Sequence, residues 1–496
     1  MGPREDYFAR VRPLLGDGLR SCVVSVEQLS LTARVVDLLL SCMLEEVHVR
    51  DPEEKPRWPL PLTCRGVSME RGDRALDVLR RYAAWKNEFS PVRWRRGDAP
   101  VGSSPRLHLA GRLLPPGAAP HVLWDEAERR VTLCSPRGDL FSHQNLSYAV
   151  ARQARDLLLG RGGWPPPVTY HGNGMWPFAE TPRPVSAPPP PASRSGVHLL
   201  VIGCGSVGSE VVRLLAAPGV RWTLVDAGAV SVFNPQRQWF GTPEIGAAKV
   251  EALARRLQPS PVRTVRRVFG SDSTRELAEL LEEDRPDLAL LTTGTHDHAP
   301  LAELLWERGV ACLSACAYPQ ARFFEVNVAL PAEGTPCLCC FRGRLYRGLE
   351  SAPPIDDELA SFLYRDISAA ERERAYVDLV AEPATRIETS RIADVLAQCS
   401  LEALADGPRR SAWFRRMLDE GTTCLLGSNT LEQRANGETA YGMSYAGQVV
   451  RLGLEDVAGV EEEQCCGVCG RRLRVGVHVE LPAAADGEID RALLAP

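Results

Sequence analysis

Apolar residues come in short runs separated by amphipathic stretches, and the same order of elements occurs twice. Near the N-terminus, Cys22-Val23-Val24-Ser25-Val26 predicts a strand, 30–41 a helix, and Glu46-Val47-His48-Val49 a second strand ending near Asp51. A later helix follows through Ala75-Leu76-Asp77-Val78-Leu79 and Ala83-Ala84. The cadence returns at 197. Val197, Leu199, Leu200, Val201 and Ile202 predict a strand, and Gly203-Cys204-Gly205-Ser206-Val207-Gly208 a turn. A helix then runs through Val211, Val212, Leu214 and Leu215, a strand through Trp222-Thr223-Leu224-Val225 to Asp226, and a helix over 247–257. Strands at 287–291, 311–313 and 323–328 and helices at about 298–308 and 387–405 extend the second set. Strands alternating with helices predict an α/β fold of two Rossmann-like, doubly wound units.

The two copies differ at the turn. Glu27, Gln28, Leu29 and Ser30 stand where the second copy has its glycines. A duplication in which one copy lost its phosphate loop explains this, although any α/β unit can produce the same cadence. Between the copies, 161–195 is rich in proline and glycine and reads as a semi-rigid linker. The expected organisation is a degenerate unit over 1–160, the linker over 161–195 and a nucleotide-binding unit over 196–344. A helical insertion over 345–430 and a C-terminal part over 431–496 complete it.

Composition narrows the function classes. The 496 residues are 44% hydrophobic and 24% charged, as in ordinary soluble proteins, and a net charge of -5 argues against general nucleic-acid binding. No apolar run is long enough to span a membrane, and the first residues lack the apolar core of a signal peptide, so a cytoplasmic protein is expected. Fifteen cysteines, several isolated in apolar runs and only two sets paired, fit a reducing compartment with one metal site better than a disulfide framework.

The glycine turn by itself also suits a dehydrogenase. The basic residues after it do not. The chain has only three lysines, Lys55, Lys86 and Lys249, so Lys249 shortly after Arg237 stands out. A compact ammonium suits a point contact on phosphate, and arginine offers a planar fork.

Gly203, Gly205, Gly208, Asp226, Asn234, Arg237, Gln238 and Lys249, with the cysteine pairs Cys337/Cys340 and Cys466/Cys469, resemble the motifs of the ubiquitin-activating-enzyme family. That family has a ThiF/MoeB-like fold and includes bacterial members that adenylate sulfur-carrier proteins. Tyr7-Phe8-Ala9-Arg10-Val11-Arg12 is similar to the family's N-terminal Arg-Tyr-x-Arg-Gln segment, with the first arginine absent and the spacing one residue longer. Family members that pair an inactive with an active half can insert an N-terminal arginine into the active nucleotide site, which implies Arg10 here.

The resemblance implies ATP-dependent adenylation of the C-terminal carboxylate of a ubiquitin-like or sulfur-carrier-like protein. Arg237, Lys249 and the turn amides would contact phosphate, Asp226 would hold the ribose, and Asn234 and Gln238 would orient phosphate or a bound Mg2+. It also exposes two departures. The family's second acid is Gly228 here, and His296 stands at the metal-binding aspartate, with Asp297 adjacent as the candidate replacement. Cys337, Cys340, Cys466 and Cys469 would hold a structural Zn2+. For a thioester step Cys424 is the candidate, and a ubiquitin-conjugating-like enzyme a possible further partner. A looser likeness of the N-terminal unit to a ubiquitin-conjugating fold would make Cys134 its thiol. The competing expectation is a non-catalytic, zinc-containing scaffold of the same fold that presents a carrier or peptide to another enzyme.

Overall fold

The computed structural model describes residues 18–54, 73–89, 92–97, 105–114, 121–136, 140–161, 196–217, 219–270, 273–293, 298–317, 323–338, 384–405, 410–419, 423–428, 449–456 and 473–478. A few further positions (15, 164, 168–169, 321, 421 and 468–469) are also described. Two sheets organise these residues. The first contains β1 (Val23–Val26), β2 (Glu46–Val49), β3 (Arg93–Arg96), β4 (Arg106–Leu114), β5 (His121–Asp125), β6 (Arg130–Pro136) and β7 (Val168–Thr169), in the order β3-β2-β1-β4-β6-β5-β7. The second contains β8 (His198–Ile202), β9 (Arg221–Val225), β10 (Val262–Val265), β11 (Leu288–Leu291), β12 (Cys312–Ala317), β13 (Phe323–Ala329), β14 (Cys424–Ser428), β15 (Val449–Asp456) and β16 (Leu473–His478), in the order β10-β9-β8-β11-β12-β13-β14-β15-β16.

Both sheets follow one plan. The first strand of each in chain order, β1 or β8, lies between its second and its fourth, all parallel. A fifth parallel strand follows (β6 or β12), and then an antiparallel one. The degenerate unit predicted from sequence is therefore a second doubly wound sheet. It departs from the plan where β5 enters as an antiparallel strand ahead of β6. The expected linker contributes β7, paired with β5, and 170–195 lies outside the described residues. So do residues 339–383, which include the first part of the expected insertion.

The central strands explain their own placement. His198-Leu199-Leu200-Val201-Ile202 and Leu288-Ala289-Leu290-Leu291 are buried along their whole length, as parallel strands covered by helices on both faces must be. The covering helices are α1 (Leu29–Leu40), α2 (Ala75–Lys86) and α3 (Leu140–Leu158) in the N-terminal unit, and α4 (Ser206–Leu215), α5 (Lys249–Leu257), α6 (Thr274–Asp284) and α7 (His298–Glu307) in the C-terminal unit. The last two helices are α8 (Arg386–Ala403) and α9 (Ala412–Asp419). Thr385 caps α8, its side chain accepting from the amide of Ile387 at 3.3 Å.

The units meet through buried charge. On α1, Arg34 donates to Asp37 at 2.6 Å and, across the interface, to Glu210 on α4 at 2.6 Å. Arg386 of α8 donates to Asp37 at 2.7 Å and to the hydroxyl of Tyr82 on α2 at 3.0 Å. Arg213 closes the cluster on Glu210 at 2.7 Å. Burial opposes ionisation of Glu210, but the guanidiniums of Arg213, Arg34 and Arg386 outweigh it and hold the carboxyl well below the usual range.

Removing one member strands the rest in a dry interior, which costs about 3–5 kcal/mol. Glu210→Gln is therefore expected to lower the melting temperature strongly at pH 7. The folded carboxyl titrates below its unfolded value of about 4.3, so its stabilisation is complete above that pH and lost as pH falls toward the folded pKa. Melts from neutral to acid pH should show the variant and the parent converging on acidification. A variant as stable as the parent at pH 7 would contradict the network.

Candidate functional site

The chain runs from β8 outward to β9 and β10, then returns to β11 on the other side of β8. The loop after β8 thus lies at the switch point of the sheet, where ligands of doubly wound folds bind at the carboxyl ends of the strands. It is the glycine turn, and α4 begins directly behind it with Gly205 as its N-cap.

Gly203 has φ +98, and a Cβ there would lie 2.7 Å from the backbone of Thr292 and Thr293. A Cβ on Gly208 would overlap the Gly203 carbonyl oxygen. The fold itself thus requires glycine at both positions. A Cβ on Gly205 would meet nothing within 4 Å, so that glycine borders open space at the helix N-terminus, as a phosphate cradle would.

Hydrogen bonds fix the turn. Asp226 at the end of β9 accepts from the amide of Cys204 at 2.7 Å and from that of Gly228 at 2.7 Å. The expected ribose carboxylate is therefore also a brace of the turn, with lone pairs remaining for hydroxyl donors. Thr292, at the end of β11, donates to the Gly203 carbonyl at 2.6 Å, and Ser209 donates to the Gly205 carbonyl at 2.6 Å. Sequence reasoning assigned no role to Thr292 or Ser209. Position was the only signal, one just beyond a strand end and one in the first turn of the helix. Cys204 is buried in the turn, and burial together with Asp226 pushes its thiol well up, so it is no nucleophile.

The structure places Lys249 beside the turn. Lys249 opens α5, is buried, and places Nζ 3.9 Å from Asp226 Oδ1. A Cβ at Gly228 would stand 2.9 Å from Lys249 Nζ, the movable end of that side chain. Asn234, Arg237 and Gln238 share one buried turn, in which the Asn234 carbonyl accepts from the amides of Arg237 at 3.0 Å and Gln238 at 2.8 Å. The side chain of Asn234 accepts from Ser231 N–H at 2.9 Å. Gln238 Oε1 is buried with no hydrogen-bond partner among the described residues.

A family model settles what this loop belongs to: the ThiF family matches residues 193–351. The chain carries a ThiF-family domain. Around that domain, the E. coli protein MccB solved with AMPCPP and MccA is 14% identical, with a TM-score of 0.31 over 43% of this chain and 57% of MccB. MccB alone gives 15% identity and 0.33 over 48% and 61%, so the match spans under two thirds of that relative. PaaA gives 13% identity and 0.33 over 58% of this chain and 69% of its own. No curated protein sequence matches the chain.

The remaining expectations divide. Arg10, His296 and Asp297 lie outside the described residues, as do Cys340 and Cys466. Cys337 is buried and Cys469 half-buried. Among the described residues no group of three or more His, Cys, Asp or Glu side chains is placed to hold a metal, so they form neither the magnesium nor the zinc site by themselves. Cys424 lies in β14, paired with β13 on one side and β15 on the other, and is fully buried. Burial first, then Glu325 and Cys316, push its thiol well up, an environment opposed to thiolate chemistry. Cys134 is likewise buried in β6, with its thiol raised by burial.

The geometry makes the turn intolerant of any side chain at its third glycine. Gly208→Ala is expected to abolish nucleotide binding by the ThiF domain, whereas Gly205→Ala, with open space, should fold normally and weaken it. Titration of both variants with ATP checks the contrast. Equal affinity of Gly208→Ala and the parent would refute the cradle.

Proposed function

We propose that the ThiF domain adenylates the C-terminal carboxylate of a ubiquitin-like or sulfur-carrier-like protein. A carboxylate oxygen attacks the α-phosphorus of ATP, the bond from that phosphorus to the bridging oxygen breaks, and pyrophosphate leaves as the acyl adenylate forms. The observation that carries the reading is the placement of the Lys249 ammonium against Gly228 and Asp226, beside a glycine turn that opens a helix at the switch point. A nicotinamide site has no use for this compact charge, and a triphosphate does.

In this reading the turn amides and the start of α4 hold phosphate, Lys249 and Arg237 neutralise its charge, and Asp226 receives ribose hydroxyls. Catalysis is alignment and charge stabilisation. Magnesium supplies further neutralisation when bound, with Asp297 as the residue to hold it. Arg10 of the degenerate unit would add an arginine to the site. Cys337, Cys340, Cys466 and Cys469 would hold a structural zinc. The buried Cys424 favours adenylation followed by release to a separate acceptor, such as a ubiquitin-conjugating-like enzyme, over transfer to the chain's own thiol.

One observation favours a second reading. Gly228 removes the resembled second acid, and two backbone amides already engage Asp226, as suits a scaffold that binds a carrier without activating it.

Pyrophosphate exchange separates the two. The full chain, incubated with ATP, labelled pyrophosphate and a panel of carrier proteins, is expected to move label into ATP with the cognate carrier. Lys249→Ala should reduce exchange about 100-fold or more, the scale of losing one charge-stabilising donor. Asp297→Ala should abolish it. Cys424→Ala should leave exchange unchanged, and disappearance of a thiol-sensitive carrier adduct in that variant would restore the thioester step. Absence of exchange with every carrier that binds the chain would decide for the scaffold.

A further inference from the structure

We propose that Lys86, on the glycine-poor N-terminal unit, is a positioning residue for nucleotide binding in the ThiF domain. It holds the backbone of 235–240 so that Arg237, Gln238 and the glycine turn keep their binding geometry. This rests on the adenylation reading and extends it to the degenerate half.

Lys86 is the last residue of α2 and is buried. Its ammonium donates to three backbone carbonyls of the other unit: Pro235 at 2.9 Å, Phe240 at 3.0 Å, and Gln238. An ammonium has three donors, and all three end on one short stretch without regular secondary structure. That stretch carries Arg237 and Gln238. Its next contact leads to the phosphate turn: the amide of Trp239 donates to Ser209 Oγ at 3.1 Å, and Ser209 Oγ donates to the Gly205 carbonyl. A continuous path of covalent and hydrogen bonds thus runs from Lys86 to the open glycine of the cradle.

Neighbouring contacts anchor the same stretch to the same platform. Gln236 donates to the Ser41 carbonyl at 2.9 Å, and a Cβ on Gly241 would overlap the indole of Trp85. The guanidinium of Arg256 lies 4.1 Å from the Trp85 ring centre and 5.4 Å from that of Trp239, tying α5 to both. The cavity beside Lys86, lined also by Asp37, Tyr82, Gln236 and Arg386, holds about 30 Å3. The three carbonyls are what hold the Lys86 ammonium there. Burial and the nearby Arg386 push its pKa well down, while three acceptors demand the protonated form, because a neutral amine has two donors.

Calorimetric titration of the full chain with ATP and magnesium tests this. Lys86→Met and Gly241→Ala are each expected to weaken ATP binding by on the order of tenfold to a hundredfold, the effect of a small misplacement of binding groups. Lys86→Arg should not restore it, since a planar fork cannot meet three divergent carbonyls. Leu79→Ala, in the apolar core of the same helix, should lower the melting temperature yet bind ATP as the parent does.

A folded Lys86→Met with parental affinity overturns the proposal, and so does equal weakening in Leu79→Ala. Should Lys86→Met fail to fold, Lys86→Arg decides, because it keeps a cation at the position while losing the three-carbonyl geometry, and parental affinity in it overturns the proposal. A parent chain that binds no ATP defeats the adenylation reading itself, an outcome distinct from parental affinity in the variants.

Discussion

The buried charge cluster between the two units is the constraint on which the rest of the structure depends. Arg34 and Asp37 of α1, Glu210 and Arg213 of α4, and Arg386 of α8 are paired in one largely buried cluster. Such a cluster tolerates little displacement, because each charge is affordable only while its partners stay within hydrogen-bond reach. Glu210 lies on the helix that starts at the glycine turn. The interface therefore sets where that helix points, and with it where its positive end meets a ligand. Arg155 of α3 extends the connection by donating to Glu388 of α8 at 2.6 Å.

With the helix fixed, the turn is fixed by its own bonds. Asp226, Thr292 and Ser209 each hold a different backbone group of Gly203–Gly205 or its neighbour, from three different elements. An anion-binding loop needs this rigidity, since amides that must reorganise to meet phosphate lose much of their electrostatic advantage. Gly228 belongs to the same design. Its carbonyl accepts from the Lys249 amide at 3.0 Å, which ties the start of α5 to the loop after Asp226.

Much of this was legible in the residues. The apolar runs at 22–26, 46–49, 197–202 and 222–225 became β1, β2, β8 and β9 within a residue or two, because parallel strands covered on both faces have few other sequences open to them. Asp226 braces the glycine turn with Lys249 beside it, and Asn234, Arg237 and Gln238 share one buried turn. The interface was not legible. Arg34, Glu210 and Arg386 are 176 residues or more apart in sequence, and a lone charge within an amphipathic helix looks like a solvated one until its partner is known. Cys424 was misleading for a related reason. A cysteine opening a strand after Gly421-Thr422-Thr423 reads as the most loop-like thiol, yet pairing of that strand on both sides makes it core.

The lysines show how the two units divide the work. In a chain whose basic charge is nearly all arginine, two of the three lysines are buried next to the candidate site, one from each unit. Arginine would serve at most exposed positions, but not at these two. Lys86 must place three donors on carbonyls that diverge in space, and Lys249 must fit a compact charge beside a glycine. A degenerate half kept only as ballast would have no need of the first. Its buried lysine, reaching into the loop of the unit that still has its glycines, is what a half retained to shape its partner's site would keep.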